Sequence, residues 1–358
     1  GASGFLRTEI KLTVAFDRSA LGVEGMEQLD GVSGTAFTSL VQQAMRERFP
    51  EVTDRREKRR LYDLVSDWAG LEIKRILQSN PHLLGTTQDV WVPASSAVDF
   101  YVKGKISALT PEAERRISNQ QIVWLKQLQS QGGVRTAFNA AFFSGGDSRA
   151  PEQAGFLGAM IGSALTLIVC LLVVFPVGVM TAVYLEEFSK PGKLVDIIEV
   201  NINNLAAVPS IVFGLLGLAV YINVMGLPRS AALVGGFTLA LMVLPVIIIA
   251  TRSALAAVPQ SIRDAARALG ASPLQVVWHH TLPLAMPGVM TGTILGMARA
   301  IGETAPLLMI GMVAFVVDLP DGFTAPSTVM PVQIYLWASS PEAGFAEKTA
   351  AGILVLLV

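Results

Sequence analysis

The chain has 358 residues, 52% of them hydrophobic and 15% charged, with a formal net charge of −1. That is too apolar for an ordinary soluble protein of this size, and the balanced charge excludes an electrostatic nucleic-acid binder. The single cysteine, Cys170, excludes an intrachain disulfide and lies in an apolar run, as a small buried hydrophobe does.

Charge divides the chain. Residues 1–150 hold 19 of the 27 Lys/Arg and 17 of the 28 Asp/Glu. A soluble-looking N-terminal domain, 1–150, therefore precedes a membrane domain, 151–358. In the first, "TEIKLTVAF" alternates polar and apolar residues and predicts a strand. "DRREKRRLYDLVSDWAGLEIKRIL" sets Leu61, Leu64, Val65, Trp68 and Leu71 at helical spacing. "TPEAERRISNQQIVWLKQLQSQGG" predicts a further helix, opened by a cap-like Thr110 before Pro111 and stopped at Gly132 and Gly133. The result is a small α+β domain. Its basic run at 55–60 is diluted by Asp54, Glu57 and Asp63 and reads as a solvated helix face. His82 stands alone, and no catalytic constellation is present.

Three uncharged runs follow: 33 residues between Glu152 and Glu186, 29 from Val200 to Pro228, and 22 from Ser230 to Thr251. A membrane-spanning helix needs about 20 apolar residues, so each run suffices. In the second, Pro209 lacks an N–H and crowds the carbonyl of Leu205, which predicts a kink or a restart at Ser210. A restart would aim backbone N–H groups and a positive dipole end at an anion pathway; a proline kink tolerated against a neighbouring helix is the alternative.

The loop after the third run reads "VPQSIRDAARALGASPLQVVWHHTLPLAMPGV". "SIRDAARAL" predicts a short helix capped by Ser261, with Asp264 at its third position and Gly270 as its stop. Ala265 and Ala266 would give it a low-relief face open to a partner, and Leu282–Pro283 would turn the chain into the next span. That fourth span is expected from about Pro287 to Val316, broken only by Arg299 and Glu303 in "ARAIGETAPLL". A charge at mid-membrane costs a few kcal/mol, so both side chains should face protein or water, and at i,i+4 they can pair. Gly302 would let another helix approach, while Pro306 would free the carbonyl of Gly302 and loosen the turn. The pair then either serves the pathway, with Arg299 offered to an oxyanion, or is a structural ion pair to a partner. A fifth span begins near Phe345.

Lys190, Lys193, Arg252, Arg263 and Arg267 fall in loops on one side, which the positive-inside rule makes cytoplasmic. Residues 1–150 are then extracytoplasmic. The chain opens at Gly1 without a methionine and stops within an apolar run at Val358, so a further span is expected upstream.

The loop resembles the EAA loop of ABC importer permeases in Asp264, Ala265, Ala266, Gly270, Leu282 and Pro283, with Asp264 in place of the more usual Glu and His280 where an aliphatic is common. "NLAAVPSIVFGLLGLAV" at 204–220 and "GETAP" at 302–306 extend the resemblance to the PstA-type permeases of phosphate importers. It implies a mainly α-helical integral membrane protein of the type-1 permease fold, in a bacterial inner membrane, with an N-terminal extracytoplasmic (periplasmic) α+β domain. It implies as partners a second homologous permease, a cytoplasmic ATPase dimer and a periplasmic phosphate-binding protein, with phosphate as substrate. Independently, no G-x-x-x-x-G-K-[ST] occurs, so ATP must be handled by a partner. His279 and His280 lack metal-ligand companions, so neither a metal nor a cofactor is expected. A permease for molybdate or sulfate, and a membrane-anchored sensor or scaffold, are the alternatives.

Overall fold

The protein is described by a computed structural model covering residues 2–21, 32–313 and 315–358. It forms two compact units: Gly1–Ser144 with Ser148–Ala154 and Ser340–Val355, and Gly145–Asp147 with Gly155–Ser339 and Leu356–Val358.

The first unit is built on an antiparallel sheet in the order β2-β1-β3, with β1 at Leu6–Ala15, β2 at Thr87–Pro93 and β3 at Val134–Phe138. The period-two pattern of β1 buries Ile10, Leu12 and Val14 on one face, with Ile10 opposite Val92 and Leu12 opposite Val90. Helix α1 (Gly34–Arg48) packs on β1 and supplies Phe37 and Met45 to the core. The periodic stretch after Asp54 is not one helix. α2 (Arg55–Tyr62) starts on the Asp54 carboxylate, which accepts the N–H groups of Arg56 and Glu57 at 2.8 and 3.2 Å. The chain then leaves the helix because the end of β2 captures it: Val65 bridges to Ala94, and Ser66 N–H donates to Pro93. α3 restarts at Ala69 and runs to Ser79. After α4 (Ser96–Val102), α5 begins at Asn119 and ends at Ser130. Its cap is Ser118, in a reciprocal box with Gln121, and not Thr110. Gly132, at φ +68°, provides the left-handed turn that leads into β3.

In the second unit α6 (Leu157–Val183) continues through a π-helical turn to Phe188. α7 (Lys193–Ala207) and α8 (Ser210–Gly217) follow, then α9 (Ala232–Ala256) and the short α10 (Gln260–Ala268). A helical turn at Pro273–Val276 and a π turn at Val277–Thr281 lead into α11 (Leu282–Ile301). Three helices among the described residues are long and apolar enough to cross a membrane: Leu157–Phe188, Ala232–Ala256 and Pro273–Ile301. The run of the second span breaks where Pro209 predicts, into a pair of helices bent by 102°. The fourth span lies nearer the N-terminus than expected, since α11 stops at Ile301 and Gly302 is its cap. Leu282 and Pro283 make no turn, because the π turn before them absorbs the missing donor of the proline and the helix runs on.

α9 is the centre of this unit, packed on α6 and α11. Gly288, Gly292 and Gly296 form a stripe at i,i+4 on α11. A Cβ at Gly288 would lie 2.7 Å from Ala254 Cβ, and one at Gly292 would lie 2.3 Å from Ala250 Cβ. Small residues let helix backbones meet this closely where no hydrophobic effect drives association. Beyond α11 come α12 (Ala305–Met309), α13 (Met330–Ala338) and α14 (Gly344–Leu357). The first turns of α14, where the fifth span was expected, belong to the first compact unit, and Glu347 and Lys348 are buried there.

Candidate functional site

α10 is capped differently from the expectation. Its N-cap is Pro259, no side chain caps it, and Ser261 is inside the helix. Asp264 instead takes a hydrogen bond from Gln260 at 3.2 Å and stays exposed. The stop is as the sequence predicts. Gly270 adopts φ +89°, Gly270 N–H donates to Arg267 O at 2.9 Å, and Ala271 N–H donates to Ala266 O at 3.1 Å. That reciprocal pattern ends a helix and needs a residue at ease in the left-handed region. The two alanines divide: Ala265 is exposed, while Ala266 is buried against its own protein. The open face is therefore Asp264, Ala265 and Ala268, with Leu269 standing out beside them at 90% exposure. Leu282 is buried and Pro283 exposed.

What holds α10 in place is a residue the sequence did not single out. Arg263 is 8% exposed in its side chain and forms an ion pair with Glu187, at 5%, through Nη2–Oε1 at 2.7 Å. Its Nε donates to the same carboxylate at 3.1 and 3.2 Å. Nη1 donates to Val258 O at 2.6 Å and Nη2 to Leu255 O at 2.9 Å. A charged residue in a loop rich in charge reads as solvated. The available signal was Arg263 three residues before Ala266, on the face that also carries Ile262, together with two acids closing the first apolar run.

The other candidate residues lie at helix breaks. Val208 and Pro209 leave helical geometry with ψ values of 131° and 137°, and α8 restarts at Ser210. α11 ends likewise at Gly302, where Gly302 N–H donates to Arg299 O and Glu303 N–H to Ala300 O, both at 3.2 Å. Pro306 sits in the first turn of α12, where its missing N–H costs nothing. The carbonyl of Gly302 is therefore at a helix end and not inside a loosened turn. Gly302 is also no point of close helix approach, since a Cβ added there would meet only Arg299 O, at 3.8 Å. The close approach falls on Gly214 of α8, where a Cβ would lie 2.7 Å from Pro306 Cα and 2.8 Å from Met309 Cβ. The elements carrying Pro209–Ser210 and the GETAP segment are thus packed together. Arg299 Nε lies 3.5 Å from Glu303 Oε1, with Arg299 half exposed and Glu303 mostly buried. Among the described residues no cluster of His, Cys, Asp and Glu is arranged to hold a metal ion.

Residues 174–358 match the family described as "Binding-protein-dependent transport system inner membrane component", and residues 1–112 match a domain of unknown function, DUF3333. The chain is 34% identical over 211 residues to the phosphate transport system permease protein PstA 1 of Mycobacterium tuberculosis, covering 58% of this chain and 68% of that protein. It is 33% identical over 217 residues to the phosphate transport system permease protein PstA of Pasteurella multocida, covering 58% and 74%. It is 43% identical over 157 residues to PstA 2 of Mycobacterium bovis, covering 43% and 50%. A chain from inward-facing crystals of the MetNI methionine ABC transporter superposes with a TM-score of 0.43 at 20% identity, covering 56% of this chain and 86% of that one.

Proposed function

Since the chain belongs to the binding-protein-dependent transport system inner membrane component family, we propose that it is the permease subunit of an ATP-driven phosphate importer. It does no chemistry of its own. The observation that carries this reading is the similarity to relatives named as phosphate transport permeases, over more than two thirds of their length in two cases. In this reading residues 1–150 are periplasmic and 151–358 form the permease domain of an inner-membrane complex. A second homologous permease completes the pathway, a cytoplasmic ATPase dimer drives it, and a periplasmic phosphate-binding protein delivers the substrate.

The 261–283 segment couples the permease to the ATPase. Asp264, Ala265, Ala268 and Leu269 form the open contact face, Gly270 ends it, and Ala266, Leu282 and Pro283 set its position. An exposed leucine beside alanines suits a groove on a partner, because it adds apolar contact without competing bulk around it. Pro209, Ser210, Arg299 and Glu303 line the pathway. The restarted α8 and the end of α11 place backbone breaks and a half-exposed guanidinium in the membrane unit, and such breaks are tolerated in a bilayer where they are buried in protein or line a water-filled cavity.

The test is uptake of radiolabelled phosphate by the reconstituted complex, with molybdate and sulfate as competitors. Phosphate alone should compete. Gly270→Asp should abolish uptake and release the ATPase, because a non-glycine residue in the left-handed region costs about 1–2 kcal/mol and the new charge sits at the contact. Competition by molybdate or sulfate equal to that by phosphate overturns the substrate, and full uptake in Gly270→Asp overturns the contact.

A further inference from the structure

Resting on the reading of α10 as the ATPase contact, we infer that Arg263 and Glu187 are positioning residues that carry displacement of α10 into the membrane helices. One guanidinium holds three elements. It pairs with Glu187 in the π turn that ends the Leu157–Phe188 helix, and it donates to the carbonyls of Leu255, in the last turn of α9, and of Val258 just beyond it. Arginine's planar fork fixes the relative angle of such groups in a way that apolar contact does not. An enclosed ion pair is a poor device for stability alone, since well-packed apolar residues of similar volume serve as well or better. Its geometry is what a link needs.

The neighbouring carboxylate shows the contrast. Glu186 lies 3.4 Å from Arg252, which also lies 2.9 Å from Glu199 of α7. These three side chains are 26–37% exposed, against 5–8% for Glu187 and Arg263. Two consecutive acids therefore serve different connections: Glu186 ties the π turn to Arg252 of α9, which also reaches α7, in a half-solvated cluster, and Glu187 ties α10. With Ile262 and Ala266, Arg263 makes up the inward side of α10, so a push on Ala265 or Leu269 reaches the membrane helices through these three residues.

The experiment uses the full complex in proteoliposomes and records co-purified ATPase, ATP hydrolysis and phosphate uptake for Glu187→Gln and Arg263→Lys. Both variants should keep the ATPase and its hydrolysis while phosphate moved per ATP falls about tenfold or more, within the range of site-to-site coupling energies. Arg252→Lys, on the half-solvated cluster, should leave that ratio within about twofold of the parent. Exchanging the charges, Glu187→Arg with Arg263→Glu, should not restore it, because the carboxylate at 263 would face two carbonyl oxygens. An unchanged ratio in both single variants overturns the inference. So does uptake that falls only in step with lost ATPase, which would make the pair a tie of the fold, and so does full recovery on charge exchange. Failure of the underlying reading shows elsewhere, as Gly270→Asp retaining both ATPase and uptake.

Discussion

Replacing Gly292 by alanine tests the close packing of α11 on α9. The added Cβ would lie 2.3 Å from Ala250 Cβ, whereas unstrained carbon contacts are about 3.5–4.0 Å. The helices must part by roughly 1 Å; a Cβ added at Gly288 or Gly296 would likewise lie 2.7 or 2.8 Å from a neighbour, so the approach is close along the whole stripe. Overpacking of this kind costs about 1–3 kcal/mol, offset by up to about 1 kcal/mol because alanine favours a helix over glycine. The net loss is about 1–2 kcal/mol, or a fall in Tm of about 2–8 °C for a unit of this size. Cys170 is the only cysteine and is fully buried, so a thiol-reactive dye reports unfolding of the membrane unit in the chain purified in detergent. Ala250→Gly removes the clashing atom and leaves Ala250 Cα, at 3.7 Å, as the nearest neighbour. The double variant should therefore regain most of the parent's Tm, with a coupling of about 1–3 kcal/mol across the cycle. Gly322→Ala, with nothing within 4 Å of the added atom, should be neutral. A parental Tm in Gly292→Ala, or a double variant less stable than both singles, would refute the packing argument.

Arg299→Gln, Glu303→Gln and the double should be measured for complex assembly and phosphate uptake. Because Arg299 is half exposed at a helix end, assembly should survive in the double while uptake stays absent; recovery of uptake with assembly would make the pair structural. In the N-terminal unit, the N–H groups of Glu57 and Arg56 hold the Asp54 carboxyl below the usual carboxylate range. A lowered folded-state pKa gives stability that is present above the ordinary carboxylate range and lost as the pH falls through it. Asp54→Ala should therefore speed hydrogen exchange at residues 55–62 at pH 7, and the difference from the parent should close on acidification; a gap that persists unchanged in acid counts against the cap.

The long apolar runs were legible because a membrane span is a one-dimensional signal of length and hydropathy. α6 falls within a run that contains no charge, and α9 carries only Arg252, in its last turns. Gly270 was legible for a similar local reason, as was the break at Pro209. The features that escaped are those set by tertiary partners. Nothing local says that β2 will capture Val65 and divide the stretch into α2 and α3, or that the π turn will carry the chain straight through Pro283. Arg263 is the sharpest case. It stands in a loop rich in charge, and its burial depends on a carboxylate 76 positions away. Arg299 and Glu303 were correctly paired by spacing, but where the helix stops decided their exposure, and that depends on α12 packing under Gly214.

The placement of α14 constrains the order in which the protein can be made. Glu347 accepts from Lys103 at 2.7 Å, Lys348 donates to Ala154 O at 3.2 Å, and the backbone at Glu347 packs on Gly4. The sheet precedes α14 in the chain, and Lys103 acquires its partner only after 244 further residues have been synthesised. Domains normally fold as units during synthesis, earliest segment first. A sheet that formed ahead of α14 would hold an unfilled seat while the intervening helices are made, and would close only when α14 arrives. Its completion would therefore follow the synthesis of every helix between Gly155 and Ser339.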